Sequence, residues 1–168
     1  MSDLTTLREE KDAFFASDPH SPLTREQQKG FKGLDYFDEN PALRFELEVE
    51  PALSGESVEM QTSTGDVQVY QRLGKVRFSV DSQAVELTIF TNEFGLFLPF
   101  VDGLTGRETY GAGRYLEPED LGDGRVRMDF NLAYNPYCAY NDRWSCPITP
   151  LENRLTVPIR AGEKNFHG

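Results

Sequence analysis

Leu43-Arg44-Phe45-Glu46-Leu47-Glu48-Val49-Glu50 is the stretch that decides the fold. Apolar side chains fall on the odd positions and charged ones on the even positions. A period of two is how a strand with one dry and one wet face is written. Phe45, Leu47 and Val49 are therefore expected in a core and Glu46, Glu48 and Glu50 in solvent.

Working outward toward the C-terminus, the same period recurs in short runs. Val58–Thr62, Val67–Arg72, Val76–Val80 and Val85–Thr91 are separated by the turn-forming groups GE, TGD, LGK and DSQ, as in a meander of hairpins. Residues 94–101, FGLFLPFV, are apolar on both parities and predict a strand buried on both faces, with Pro99 marking a bend or an edge. Further strands are expected at Gly113–Leu116, Val126–Asn131 and Leu155–Ile159, the last at an edge because Pro158 lacks a donor.

Working outward toward the N-terminus, the period becomes helical. Leu4, Leu7, Lys11, Phe14 and Phe15 recur at helix spacing, DPHSPL then breaks the helix, and Thr24 with Gln27 forms a capping box for a short helix ending near Gly30. The expected class is mainly β, an antiparallel barrel or two-sheet sandwich, with the N-terminal helices packed at one end. The chain has 168 residues, which suits one domain: a helical segment over 1–30, then a β core over 43–161 with a long loop at 131–153.

The net charge is −11, of which residues 1–106 carry −10 (9 basic, 19 acidic) and residues 107–168 carry −1 (8 basic, 9 acidic). A negative field without a basic patch disfavours binding to nucleic acid. No apolar run approaches the ~20 residues of a membrane helix, and MSDLTTLREEKDAFF lacks an apolar leader. The expectation is a soluble, cytoplasmic protein with no membrane partner, its oligomeric state left open.

The least ordinary region is Asp129–Arg154, DFNLAYNPYCAYNDRWSCPITPLENR, with both cysteines, the only tryptophan and three of the seven tyrosines. The blocks TYGAGRYL (Thr109–Leu116), DFNLAYNPYCAY, SCP, PLENRL and AGEK, with SPL (Ser21–Leu23) and FKGLDYF (Phe31–Phe37), occur in that region and around it. In these blocks the chain resembles the uncharacterised prokaryotic family listed as domain of unknown function number sixteen eighty-four. Leu151 stands where that family's pattern leads one to expect a second proline. The resemblance implies no activity, substrate or catalytic residue.

Chemistry must be read from the residues themselves. Cys138 and Cys146 are too few for a structural zinc site, and His20 and His167 lie near the ends, so neither a metal nor a cofactor is expected. Two readings of the thiols stand: small packed hydrophobes, expected reduced and with Cα atoms within about 8 Å, or a redox-active or structural disulfide. Arg114 follows Gly111 and Gly113, which admit close approach, and is expected largely out of solvent and paired with Asp129 or Glu152.

Together these residues suggest a cavity near 110–154. Tyr110, Tyr134, Tyr140 and Trp144 would form its walls, Asn131 and Asn153 polar lining, and Arg114 or Arg154 a counter-ion for a small polar or anionic ligand. The alternatives are an enzyme, either a hydrolase using Asp129 or Glu152 or a thiol enzyme using Cys138, and a structural or interaction protein whose aromatics and charges only pack. Glu163 and Lys164 of AGEK are read as a solvated tail pair, with docking beside the loop as the alternative.

Overall fold

The alternating stretch folds as written. β1 (Arg44–Glu48) turns Phe45 and Leu47 toward the main core, Val49 follows them, and Glu46, Glu48 and Glu50 are exposed. The computed structural model describes residues 3–53 and 57–167. It pairs β1 antiparallel with β9 (Arg125–Asp129), and β9 in turn with β8 (Glu119–Gly122). Opposite charges lie across this sheet on its wet face: Arg127 holds Glu46 and Glu119, each at 2.8 Å. β8 carries no apolar alternation, since all four of its residues are exposed, and the sequence gives no sign of it.

The second sheet runs β2 (Glu50–Pro51), β4 (Val67–Val80), β5 (Gln83–Asn92), β6 (Gly95–Phe100), β7 (Arg114–Leu116), with β3 (Ser57–Gln61) also paired to β4. Val76, Phe78, Leu87, Ile89, Leu98 and Phe100 of this sheet meet Val126 and Met128 of the first, around Phe130. Phe130 sits 5.3 Å from the Phe100 ring and 5.7 Å from Phe78. Neither sheet closes on itself, so of the two expected architectures the chain adopts the sandwich.

α1 (Asp3–Ser17) and α2 (Arg25–Gly30) form where expected, and the Thr24–Gln27 capping box is complete. Only Leu4 and Phe15 of the apolar stripe are buried, because the helix packs on a narrow second core of Leu23, Leu34 and Tyr140. No helix among the described residues is long and apolar enough to cross a membrane.

Three expectations need correction. LGK is not a turn: β4 runs through it, with Leu73 as an extra residue between the pairs Arg72–Phe90 and Gly74–Ile89. Leu155–Ile159 is not a strand, since its backbone groups bond singly to residues 101–103 and the Ile159 N–H donates to the Asp102 carboxylate at 2.7 Å. Phe94 tips the β5–β6 turn and is 89% exposed, so the buried part of FGLFLPFV is its second half. The GE turn lies outside the described residues.

The bulge at Leu73 positions everything that follows. One extra residue reverses which parity faces the core. Val76 and Phe78 point inward, whereas Tyr70, of the same parity, points to the outer face with Phe90 and Phe97. Tyr115, in register with Pro99, carries this aromatic row to β7.

Candidate functional site

The outer face of the six-stranded sheet is not left to solvent. The long loop pairs with one edge through reciprocal bonds between Tyr134 and Tyr115, at 2.8 and 2.9 Å. It meets the opposite edge where Ile148 N–H donates to Gln61 and Ser63 N–H to Cys146, at 2.8 and 2.9 Å. Between these anchors a single acceptor, the Pro22 carbonyl, receives Asn141 Nδ2, Arg143 Nη2 and Trp144 Nε1 at 2.8, 3.1 and 2.9 Å. The loop is thereby fixed as an arch over the sheet.

Beneath the arch is a cleft of about 910 Å³. Its floor is the aromatic row Tyr70, Phe97 and Tyr115, with successive ring centroids 5.3 and 4.8 Å apart. The loop supplies Tyr134, Tyr137 and Trp144, the last two 5.1 Å apart. Polar groups are few: Asn92, Glu117, Asp120, Ser145, and Lys11 from α1. Lys11 is already bound to the Glu163 carboxylate and lies over the Tyr134 ring at 5.2 Å. The Tyr134 hydroxyl donates to Glu117 at 2.8 Å, and burial together with that carboxylate raises its pKa.

Of the residues singled out from sequence, Tyr134, Trp144 and Cys146 line this cleft, and the others are held elsewhere. Arg114 is fully buried, as expected, but its partner is Asp102 at 3.4 Å rather than Asp129 or Glu152. It also donates to the carbonyls of Ile159 (2.9 Å), Glu163 (3.2 Å) and Ala161. Parity explains the difference: Tyr115 faces the outer side, so Arg114, in register with Phe100, faces the core and the C-terminal tail. The tail is accordingly docked, not solvated. Glu163 is buried and accepts from Lys11, the Tyr140 hydroxyl (2.7 Å) and Asn135 N–H (3.3 Å).

The asparagines replace backbone. Asn153 takes both backbone groups of Thr88 and the Pro99 carbonyl, each at 2.8 Å, where β6 has departed from β5. Asn131 does the same for Asn40. Asp129 holds Arg44 and caps Asn131, while Glu152 holds Arg72 and the Thr88 hydroxyl, both 2.8 Å from it. Arg154 is exposed and reaches the Thr149 carbonyl. Tyr110 and Cys138 belong to a separate cluster. The Tyr110 hydroxyl donates to Cys138 Sγ at 3.6 Å, the Cys138 N–H donates to Cys146 Sγ at 3.3 Å, and both thiols are free.

Sequence reading missed Tyr70, Phe97, Tyr115 and Tyr137. Tyr137 had a signal, since Asn135-Pro136 announces the turn that carries it. The floor residues had none, because their common face exists only once the bulge has reversed the parity of β4. No group of three or more His, Cys, Asp or Glu among the described residues is arranged to hold a metal.

An antiparallel sandwich with an aromatic cleft roofed by one anchored loop is the class that fold and site define. The chain belongs to the family of proteins of unknown function DUF1684, whose model matches residues 29–164. It is also similar to an uncharacterised protein of Haloarcula marismortui solved by solution NMR, at 40% identity over 96% of this chain and 91% of that one, with a TM-score of 0.73. None of the curated proteins matches it.

Proposed function

We propose that the protein binds a small molecule with a flat apolar body and a cationic or hydrogen-donating end, held in the cleft between sheet and arch. One observation carries this reading: eight aromatic rings line a space whose carboxylates, Glu117 and Asp120, face no cation among the described lining residues beyond Lys11, itself engaged by Glu163. Apolar walls with a few converging polar groups are the usual build of a ligand cleft, and rings that meet a cation face-on add attraction. This reading departs from the expected polar or anionic ligand, since of the two counter-ions expected for it Arg114 is engaged inside the fold and Arg154 lies outside the cleft, bonded to the Thr149 carbonyl. Asp129 and Glu152 stand outside the cleft and are occupied by arginines, so the acid–base hydrolase reading gains no support from their positions.

Trp144, the only tryptophan, lies in the wall and reports occupancy directly. Phenethylammonium is expected to change its emission saturably at millimolar concentration or below, with phenylpropionate clearly weaker. Glu117→Gln should weaken the ammonium probe by about tenfold or more, the scale of a hydrogen bond to a charged group, about 1.5–3 kcal/mol. Equal binding of the carboxylate probe, or no saturation by either, rules the reading out.

A further inference from the structure

The two thiols are built into the fold in a way that simple packing does not require. A buried thiol acting as a small hydrophobe needs neighbours of the right size and no donors. Here each sulfur receives one: the Tyr110 hydroxyl at Cys138, the Cys138 N–H at Cys146. The two are also anchored independently. Cys146 is fixed to the sheet edge by its N–H to Ser63 Oγ at 3.1 Å and by its carbonyl to Ser63 N–H. Cys138 rides on a short 3₁₀ turn, Tyr137–Ala139, that brings it back against Cys146. Cys138 is partly exposed, whereas Cys146 is buried. Hydrogen bonding to its neighbours, the Cys146 thiol first, lowers the pKa of Cys138 despite burial, and the same contact and burial raise that of Cys146.

We propose that Cys138 and Cys146 are a reversible dithiol–disulfide site oxidised by peroxides, with Cys138 as the attacking and Cys146 as the resolving thiol. In the first step the Cys138 thiolate attacks one peroxide oxygen. An S–O bond forms, the O–O bond breaks, and the leaving oxide takes up a proton as water or an alcohol, leaving a sulfenic acid. In the second step Cys146 sulfur attacks that sulfur, the S–S bond forms, the S–O bond breaks, and hydroxide leaves with the Cys146 proton as water. The two thiols together give up two electrons, which the peroxide accepts. A small dithiol reverses the change by exchange, itself becoming the disulfide. Cys146 also lines the cleft, but the chemistry of the pair requires no ligand there.

Equimolar hydrogen peroxide added to the reduced, full-length protein tests it. Expected are the loss of both titratable thiols, an intact mass lower by two hydrogens, and recovery of both thiols with dithiothreitol. Cys146→Ala should stop at a sulfenic acid on Cys138, trapped by dimedone, while the remaining thiol of Cys138→Ala reacts at least about tenfold more slowly than Cys138, as an unactivated buried thiol does. Should either variant fail to fold, the parent protein alone decides. Two thiols that survive peroxide and titrate only in denaturant overturn the proposal, as does oxidation of Cys138→Ala at the parent's rate.

Discussion

Arg114 shows how far a single residue can be read. Gly111 and Gly113 signalled close approach, and the side chain is fully buried. Gly113 is needed there: its φ is +96°, and an added Cβ would meet the Phe100 carbonyl at 2.5 Å. The partner was not legible, because Asp102 and the tail carbonyls reach Arg114 only through the docking of residues 157–163, which local spacing does not encode. Four acceptors converge on one guanidinium, so Arg114→Met should cost about 3–5 kcal/mol, the usual effect of removing one member of a buried ion pair. Arg114→Lys should also destabilise, since a point charge cannot serve Asp102 and three carbonyls at once. Both effects are expected in urea unfolding without any ligand present, and unchanged midpoints would mean that the tail is held by other contacts.

At the level of the element, periodicity succeeded wherever a strand has one wet face and failed where the ladder is irregular. TGD and DSQ are turns, with Gly65, Asp81 and Ser82 at positive φ. LGK looks alike in sequence, yet Gly74 serves close approach rather than chain reversal. A Cβ on it would stand 2.2 Å from the Glu50 carbonyl and 2.6 Å from Val49 Cγ1. Gly74→Ala should therefore push β2 off β4 and cost about 1–3 kcal/mol, the range for overpacking. The signature is local: the Ala52 amide, which donates to Leu73 at 3.0 Å, should lose hydrogen-exchange protection while the Val76–Val80 half of β4 keeps it. Uniform loss along β4 would instead assign Leu73 and Gly74 to the cooperative core.

Across the whole molecule, the antiparallel β class was legible, while of the cleft only the loop wall with Tyr134 and Trp144 was, and its floor was not, for the same physical reason. A two-layer core is the sum of many alternating strands, each of which states its own faces. The cleft depends on one inserted residue and on a loop tied at both edges of a sheet, and neither has a period. Tyrosine placement carries this organisation into a measurable property. The pKa of all seven is raised, burial being the first cause in each, with Tyr110 pushed up to about 12. In the unfolded chain each ionises near ~10. A phenol whose folded pKa exceeds its unfolded value contributes stability that is fully present below about 10 and is lost as pH rises toward the folded value. Tyr36, Tyr115, Tyr134 and Tyr140 are the most strongly raised and join cleft floor, arch, tail and helix. Alkaline titration should thus show little phenolate absorbance before unfolding, then a cooperative rise that coincides with loss of the near-ultraviolet circular dichroism of the core. Gradual ionisation of most tyrosines near their ordinary value, with the fold intact, would mean that the aromatic row and its roof stand open to water.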